Sequence, residues 1–206
     1  MTDFIYLASQ SPRRKQLLEQ WGVRCELLLP DAEEDAEALE AVLPGEAPAA
    51  YVRRVTDLKL AASLARLKRR GWPLAPVVCA DTTVALGRRI LGKPADATEA
   101  RIMLADLSGQ THRVLTAVAV GKLARRGLAR QWAALSTSRV RFEPLTPAQI
   151  RRYVESGEPM GKAGAYAIQG KAALWASQIQ GSYSGIMGLP AFETAQVLAA
   201  AGVQLV

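Results

Sequence analysis

Short apolar runs of strand length interleave with helical segments that open on a capped proline, and this alternation constrains the chain more than any other feature. Residues 4–8 read as a buried strand, and Ser11 followed by Pro12 supplies an N-cap and a preset first helical position for a helix over roughly residues 12–21. "CELLLP" (25–30) reads as a second strand, and the acidic "DAEEDAEALE" (31–40) after it as a loop or a short exposed helix. Tyr51, Val55, Leu58, Ala62 and Ala65 recur at three- and four-residue steps, which predicts one long helix over 47–70, ended by Gly71 and Pro73. "PVVCAD" (76–81) is a short apolar strand with an acid at its carboxyl end, and "TVALGRRILGKP" (83–94) is a hairpin turning at Gly87. A helix over 97–109 begins at a Thr98 cap. Two longer paired strands cover 112–121 and 131–143, Thr146 caps a further helix, and the last helix covers about 191–201. The elements keep no strict strand–helix–strand rhythm. An α/β fold of mixed α+β character with a cleft therefore suits them better than a regular Rossmann fold.

No Pro/Ser/Gly-rich linker divides the 206 residues, so one domain over 1–206 is expected. Half the residues are hydrophobic and 22% are charged, the balance of a soluble globular protein. No apolar run approaches the roughly 20 residues that span a bilayer, and "MTDFIYLAS" has neither a basic region nor an apolar core of signal-peptide length. No membrane partner and a cytoplasmic location are the expectation. Cys25 and Cys79 lack the spacing of a zinc site or redox pair and read as buried, reduced packing residues. His112, the single histidine, cannot build a histidine cluster and reads as structural or exposed. The net charge of +7 invites a nucleic-acid partner, but the excess lies in "ARLKRRG" (65–71), "GKLARRGLAR" (121–130) and "IRRYVESGE" (150–158). These read as a helix end, a hairpin tip and a helix start, each a solvated face, so nucleic acid is not the expected partner.

In "LASQSPRR" (7–14), Arg13 and Arg14 stand where a helix macrodipole least favours positive charge, with no carboxylate beside them. Two readings stand: an anion site in which guanidinium forks join the free N–H groups of the helix start, or a solvent-facing pair. Asp81 at a strand end is placed to hold a divalent metal or accept a proton from water, or simply to cap a turn. Glu33 and Glu34, just after the second strand, add carboxylates of ordinary loop type. Lys59 and Lys93 taken singly are surface lysines. "GKAGAYAIQGKAALW" (161–175) is rich in small residues and runs close to a ligand or another backbone. It is no nucleotide P-loop: five residues separate Gly164 from Gly170 where four are required, and alanine follows Lys171.

Six ordered motifs turn these pieces into a pattern: "ASQSPRRKQLL" (8–18), "ADTTV" (80–84), "LGKP" (91–94), "LSGQTHRVLTAV" (107–118), "YVESGEPMGKAGAYAIQG" (153–170) and "GSYSGIMGLP" (181–190). With them the chain resembles the Maf family of nucleotide pyrophosphatases nearly end to end. The resemblance implies a Maf/ITPase-like unit, a central mixed sheet with a deep cleft between two lobes. It also implies a divalent metal cation, Mg or Mn, and release of pyrophosphate and a monophosphate from a nucleoside triphosphate. By the same resemblance Asp81 is the catalytic acid–base residue, Arg13 the first arginine of "SPRR", Glu34 the glutamate after strand two, Lys59 the helix lysine and Lys93 the lysine of "KP". Thr82 and Gln169 match the branch acting on dTTP and UTP, where the sister 7-methyl-GTP branch carries Gln and Glu. Ala167 departs from the glycine common in "GAYGIQG", and a positive φ there would strain it.

The mechanism implied has a metal held by Asp81 with Glu34, and water attacking the α-phosphorus. Arg13, Lys59, Lys93 and, more weakly, Arg14 neutralise the departing pyrophosphate, with Ser9 and Ser11 donating hydrogen bonds. Gln169 and the Thr82 hydroxyl read the pyrimidine edge. A homodimer is a further implication of the resemblance. The rival reading is a basic regulatory or nucleic-acid-binding protein, since Maf proteins are associated with septum formation.

Overall fold

The structure is a computed structural model describing residues 4–32, 34, 38–124, 129–203 and 205; Glu33 and the tip of the basic hairpin at 125–128 lie outside the described residues. The first apolar run forms β1 (Ile5–Leu7), parallel to β2 (Cys25–Leu27) on one side and to β3 (Val77–Leu86) on the other. β4 (Arg89–Leu91) folds back antiparallel on β3 through a turn at Gly87, whose φ of 60° is left-handed. β5 (Thr111–Leu123), β6 (Ala129–Phe142) and β7 (Ala176–Gln180) continue antiparallel, giving one seven-stranded mixed sheet in the order β2-β1-β3-β5-β6-β7 with β4 beside β3.

The fold places its functional residues through a split in β3. Along one edge β5 accompanies β3 without interruption from Val77 to Ala85. Along the other edge β1 takes Val77 and Val78, β4 takes Val84 to Leu86, and neither reaches 79–83. Asp81 sits at that gap. The expected strand ending at Asp81 is thus corrected: Asp81 is mid-strand, because the β-branched Thr82, Thr83 and Val84 carry the extended chain onward. What ends there is β1, where Ser11 and Pro12 turn the chain into α1 (Pro12–Gln20).

Successive residues of the sheet serve opposite layers. Val77 and Cys79 face α2 (Pro48–Arg70), which packs Leu60, Leu64 and Leu67 against them and stops at Gly71 in the left-handed region. Val78 and Ala80 face α1 and α6 (Ala191–Ala200), joining Leu17, Leu18, Val197 and Leu198. Gly121 on β5 admits α2 closely, since a Cβ there would lie 2.8 Å from Leu64. A second cluster, around Leu104, Phe142, Ile150, Tyr153 and Tyr166, joins α3 (Ala97–Leu107) and α4 (Pro147–Glu155) to the far end of the sheet.

Local details differ from expectation where a competing side chain wins. Asp96, not Thr98, is the N-cap of α3, its carboxylate accepting from the N–H groups of Thr98 and Glu99. Ser11 holds the N-cap position of α1 without a side-chain cap bond, whereas Thr146 and Gln149 complete a reciprocal capping box on α4. The polar edge strand β7 and the short α5 (Tyr183–Met187) had no apolar pattern to announce them. Cys79 is buried but Cys25 only half-buried, and both are free thiols. His112 is buried against Phe142 and Tyr166, and burial pushes its pKa down to about 4, so it is neutral and structural at pH 7. Among the described residues no helix is long and apolar enough to cross a membrane.

Candidate active site

The gap beside β3 opens into a cleft of about 760 Å³ whose walls come from distant stretches of chain. The β1–α1 turn contributes Ser9, Ser11, Arg13 and Arg14, α2 contributes Lys59 and Arg66, β3 contributes Asp81 and Thr82, and Lys93 follows β4. Glu40 enters from a single 3-10 turn at Ala38–Glu40, and Lys162 and Tyr166 from the glycine-rich segment.

Asp81 and Glu40 are joined through one ammonium. Lys59 donates to Asp81 Oδ1 at 2.6 Å and to Glu40 Oε1 at 2.7 Å, and Lys93 donates to Glu40 Oε2 at 2.8 Å. Burial alone would raise the Glu40 pKa, yet the Lys59 and Lys93 ammoniums hold it below its ordinary value. Among the described residues Asp81 Oδ2 accepts no hydrogen bond, which leaves one carboxylate oxygen for incoming chemistry. Glu34 is elsewhere engaged: Arg66 grips it from Nε and from Nη2 at 2.5 Å, and Arg69 adds a second guanidinium. Hydrogen bonds from Arg66 and then Arg69, working against burial, hold its pKa down to about 2. Glu34, expected beside Asp81, lines the same cleft but is bound to Arg66 and Arg69. Glu40 shares Lys59 with Asp81, and Glu34 does not.

Arg14, the weaker arginine on sequence, is the better anchored. It donates from Nε to the Gly188 carbonyl at 2.8 Å, from Nη1 to Ser9 Oγ at 3.0 Å, and from Nη2 to Thr82 Oγ1 at 3.4 Å. Thr82 Oγ1 lies 2.9 Å from Thr116 Oγ1, which donates to the Gly185 carbonyl at 2.7 Å. The Thr116 proton being spent there, Thr82 is the donor of that pair and has no second proton to offer a base. Toward Arg14 it acts as an acceptor, and its oxygen keeps a second lone pair. Arg13 uses only Nε, toward the Met187 carbonyl at 3.3 Å. Ser9 also accepts from the Ser11 N–H at 3.2 Å, which tightens the turn under the cleft.

The glycine-rich segment does run against another backbone. Gly164 donates to the Gly92 carbonyl at 3.0 Å with φ of 68°, and a Cβ on it would stand 2.8 Å from Val84 Cβ. This close docking on the strand that bears Asp81 brings Lys162 and Tyr166 to the cleft; Tyr166 OH lies 2.8 Å from His112 Nε2. Among the described residues the non-glycine in left-handed conformation is Ala165, φ 59°, and Ala167 has no positive φ to strain it. Ala167 instead donates its N–H to Tyr153 OH at 3.2 Å. Gln169 is exposed and absent from the cleft lining, so the structure does not bring it together with Thr82.

The structure thus assembles Ser9, Ser11, Arg13, Arg14, Glu34, Lys59, Asp81, Thr82 and Lys93 around one cleft. Sequence reasoning missed Glu40, one acid among several in a run, and Lys162, whose only signal was its place inside a glycine-flanked motif. Among the described residues no group of three or more His, Cys, Asp or Glu could by itself hold a metal ion. Asp81 and Glu40, two carboxylates bridged by Lys59, are oxygen donors of the kind that suits a hard cation able to complete its shell with water.

Comparison with known proteins places these residues in context. The family described as Maf-like protein matches residues 4–201. A dTTP/UTP pyrophosphatase of Albidiferax ferrireducens is 65% identical over 100% of both chains. Proteins of the same description are 64% identical in a Polaromonas species, over 98% of each chain, and 62% identical in Cupriavidus metallidurans, over 98% of this chain and 99% of that one.

Proposed function

The chain belongs to the Maf-like family, and on that premise we propose that it is a nucleoside triphosphate pyrophosphatase that hydrolyses dTTP and UTP to the monophosphate and pyrophosphate. The observation that carries this reading is the convergence of Asp81 with Arg13, Arg14, Lys59 and Lys93 on one cleft, in a chain whose full-length relatives carry that description.

The chemistry follows from the placement. Water attacks the α-phosphorus, the bond from that phosphorus to the bridging oxygen breaks, and pyrophosphate leaves. Asp81 accepts the water's proton at Oδ2, while Lys59 fixes Oδ1 and thereby the plane of the carboxylate. Arg13 and Arg14 carry cationic donors toward the phosphates, where charge grows on the leaving group. A divalent cation, Mg or Mn, would be held by Asp81 with Glu40 as the second carboxylate. When bound, it neutralises phosphate oxygens and lowers the pKa of a coordinated water. A cytoplasmic location accords with a free nucleotide as the substrate.

The test is a panel of dTTP, UTP, CTP and 7-methyl-GTP, scored for pyrophosphate with Mg, with Mn and with a chelator. dTTP and UTP should turn over at least tenfold faster than 7-methyl-GTP, and the chelator should abolish both. Orthophosphate as the first product, or preference for 7-methyl-GTP, would overturn the reading.

A further inference from the structure

The cations of the cleft differ in how far they are already neutralised. Lys59 is shared between Asp81 and Glu40, Lys93 is paired with Glu40, and Arg66 with Glu34. Those charges largely cancel within the protein before any substrate arrives. Among the described residues Arg13, Arg14 and Lys162 have no carboxylate within salt-bridge distance; all line the cleft. Arg14 has committed Nε, Nη1 and Nη2 to protein acceptors. Arg13 has committed only Nε, and among the described residues its two terminal amino groups have no partner. Lys162 makes one hydrogen bond, to the Met160 carbonyl at 3.3 Å, of the three an ammonium can make.

We propose that Lys162 and Arg13 form the subsite for the pyrophosphate half of the triphosphate, separate from the internally neutralised Lys59–Asp81–Glu40 group. The inference rests on the pyrophosphatase reading and adds to it a residue and a division of labour. Lys59 and Lys93 set the carboxylates; Lys162 and Arg13 take the leaving group. Charge balance supports the division, since a leaving group that gains negative charge is served by cations whose field is not spent on neighbouring carboxylates. Burial, and then the nearby Arg13 guanidinium, push the Lys162 ammonium below its ordinary pKa. Two cations held within each other's field lose that mutual repulsion when an anion bridges them. The backbone supports the placement as well, because Gly164 clamps the Lys162 segment onto Gly92 and Val84, next to the strand carrying Asp81.

The experiment is calorimetric titration of inorganic pyrophosphate, with chelator present, into the wild-type protein, Lys162→Ala, Lys162→Gln and Lys162→Arg, with dTMP as a parallel titrant. Removing the charge should weaken pyrophosphate binding tenfold or more in both neutral variants, Lys162→Arg should restore it to within threefold, and dTMP binding should stay within twofold throughout. The proposal is overturned if the neutral variants lose less than tenfold, if arginine fails to rescue, or if dTMP weakens in parallel. Unfolding of either neutral variant is read from its thermal transition, leaving the other variant to decide. Failure of the pyrophosphatase reading looks different: wild-type protein would release no pyrophosphate from dTTP, an outcome that the binding titration does not depend on.

Discussion

Lys59 on α2 and Asp81 on β3 meet at 2.6 Å across the gap in the sheet, and the same ammonium reaches Glu40. A lysine held this way keeps Asp81 oriented while leaving its second oxygen to the reaction. Replacing Lys59 with Met keeps the stem that packs along α2 but deletes the positive charge. The expected result is a fall in kcat on dTTP of about 10²-fold, equivalent to about 3 kcal/mol of transition-state stabilisation, with a smaller change in KM. Steady-state kinetics read this directly, and an unchanged kcat would remove Lys59 from the machinery.

Glu34 and Glu40 are both acids of the segment between β2 and α2, yet their surroundings assign them different work. Arg66 is buried, with its guanidinium bound to Glu34 and to the Leu28 carbonyl. Glu34→Gln should therefore leave a buried charge under-compensated and lower stability by about 3 kcal/mol in chemical denaturation. Glu40→Gln should leave the denaturation midpoint nearly unchanged while raising the metal concentration needed for half-maximal activity. The reverse pattern would restore the pairing of Asp81 with Glu34.

Gly164 is the contact through which the glycine-rich segment seats on β3. Gly164→Ala meets Val84 at 2.8 Å in a backbone with φ of 68°, two costs at once. A loss of roughly 1–3 kcal/mol is expected in thermal or denaturant unfolding, with reduced turnover because Lys162 rides on the same segment. Adding Val84→Ala should recover little, since it removes the two Cγ contacts but leaves the Cβ of residue 84 at 2.8 Å, whereas Val84→Gly removes the whole overlap and should recover part of the turnover, the φ penalty persisting.

His112 gives the protein an acid limit. Its folded pKa, about 4, lies below the ordinary 6.5 because burial disfavours the charged ring, so the unfolded chain binds the extra proton first. Its contribution is complete above pH 6.5 and is lost as pH falls from 6.5 toward 4, by about 3 kcal/mol across that window. His112→Gln should flatten the pH dependence of the unfolding midpoint between those values. An equally steep slope in the variant would place the titration elsewhere.

Much of this architecture was legible because it rests on local chemistry. Proline after Ser11 and Thr146 marked helix starts, Gly71 a helix end, and long apolar alternation the β5–β6 pair. Asp81, Arg13 and Lys59 were legible as a group only through the family resemblance, since singly each resembles an ordinary capping or surface residue. What escaped depends on tertiary pairing. Which acid of "DAEEDAEALE" meets Lys59 follows from the path of the turn at Ala38–Glu40, and the choice between Arg13 and Arg14 follows from the carbonyls of Met187 and Gly188, over 170 residues away. The direction of the Thr82 hydroxyl escaped for the same reason: its proton is claimed by Thr116, a neighbour in register on β5. The polar sequence of β7 gave no period to read, because an exposed edge strand need not bury either face.

The most direct test of the central claim is hydrolysis of dTTP in ¹⁸O-labelled water by wild-type protein and by Asp81→Asn, with the products resolved by mass. Attack on the α-phosphorus in a cleft organised by Asp81 predicts that the label enters dTMP and not pyrophosphate, and that the variant, folded as the wild type, loses turnover by at least 10³-fold. Label in pyrophosphate or orthophosphate, or a variant that keeps turning over, would contradict it.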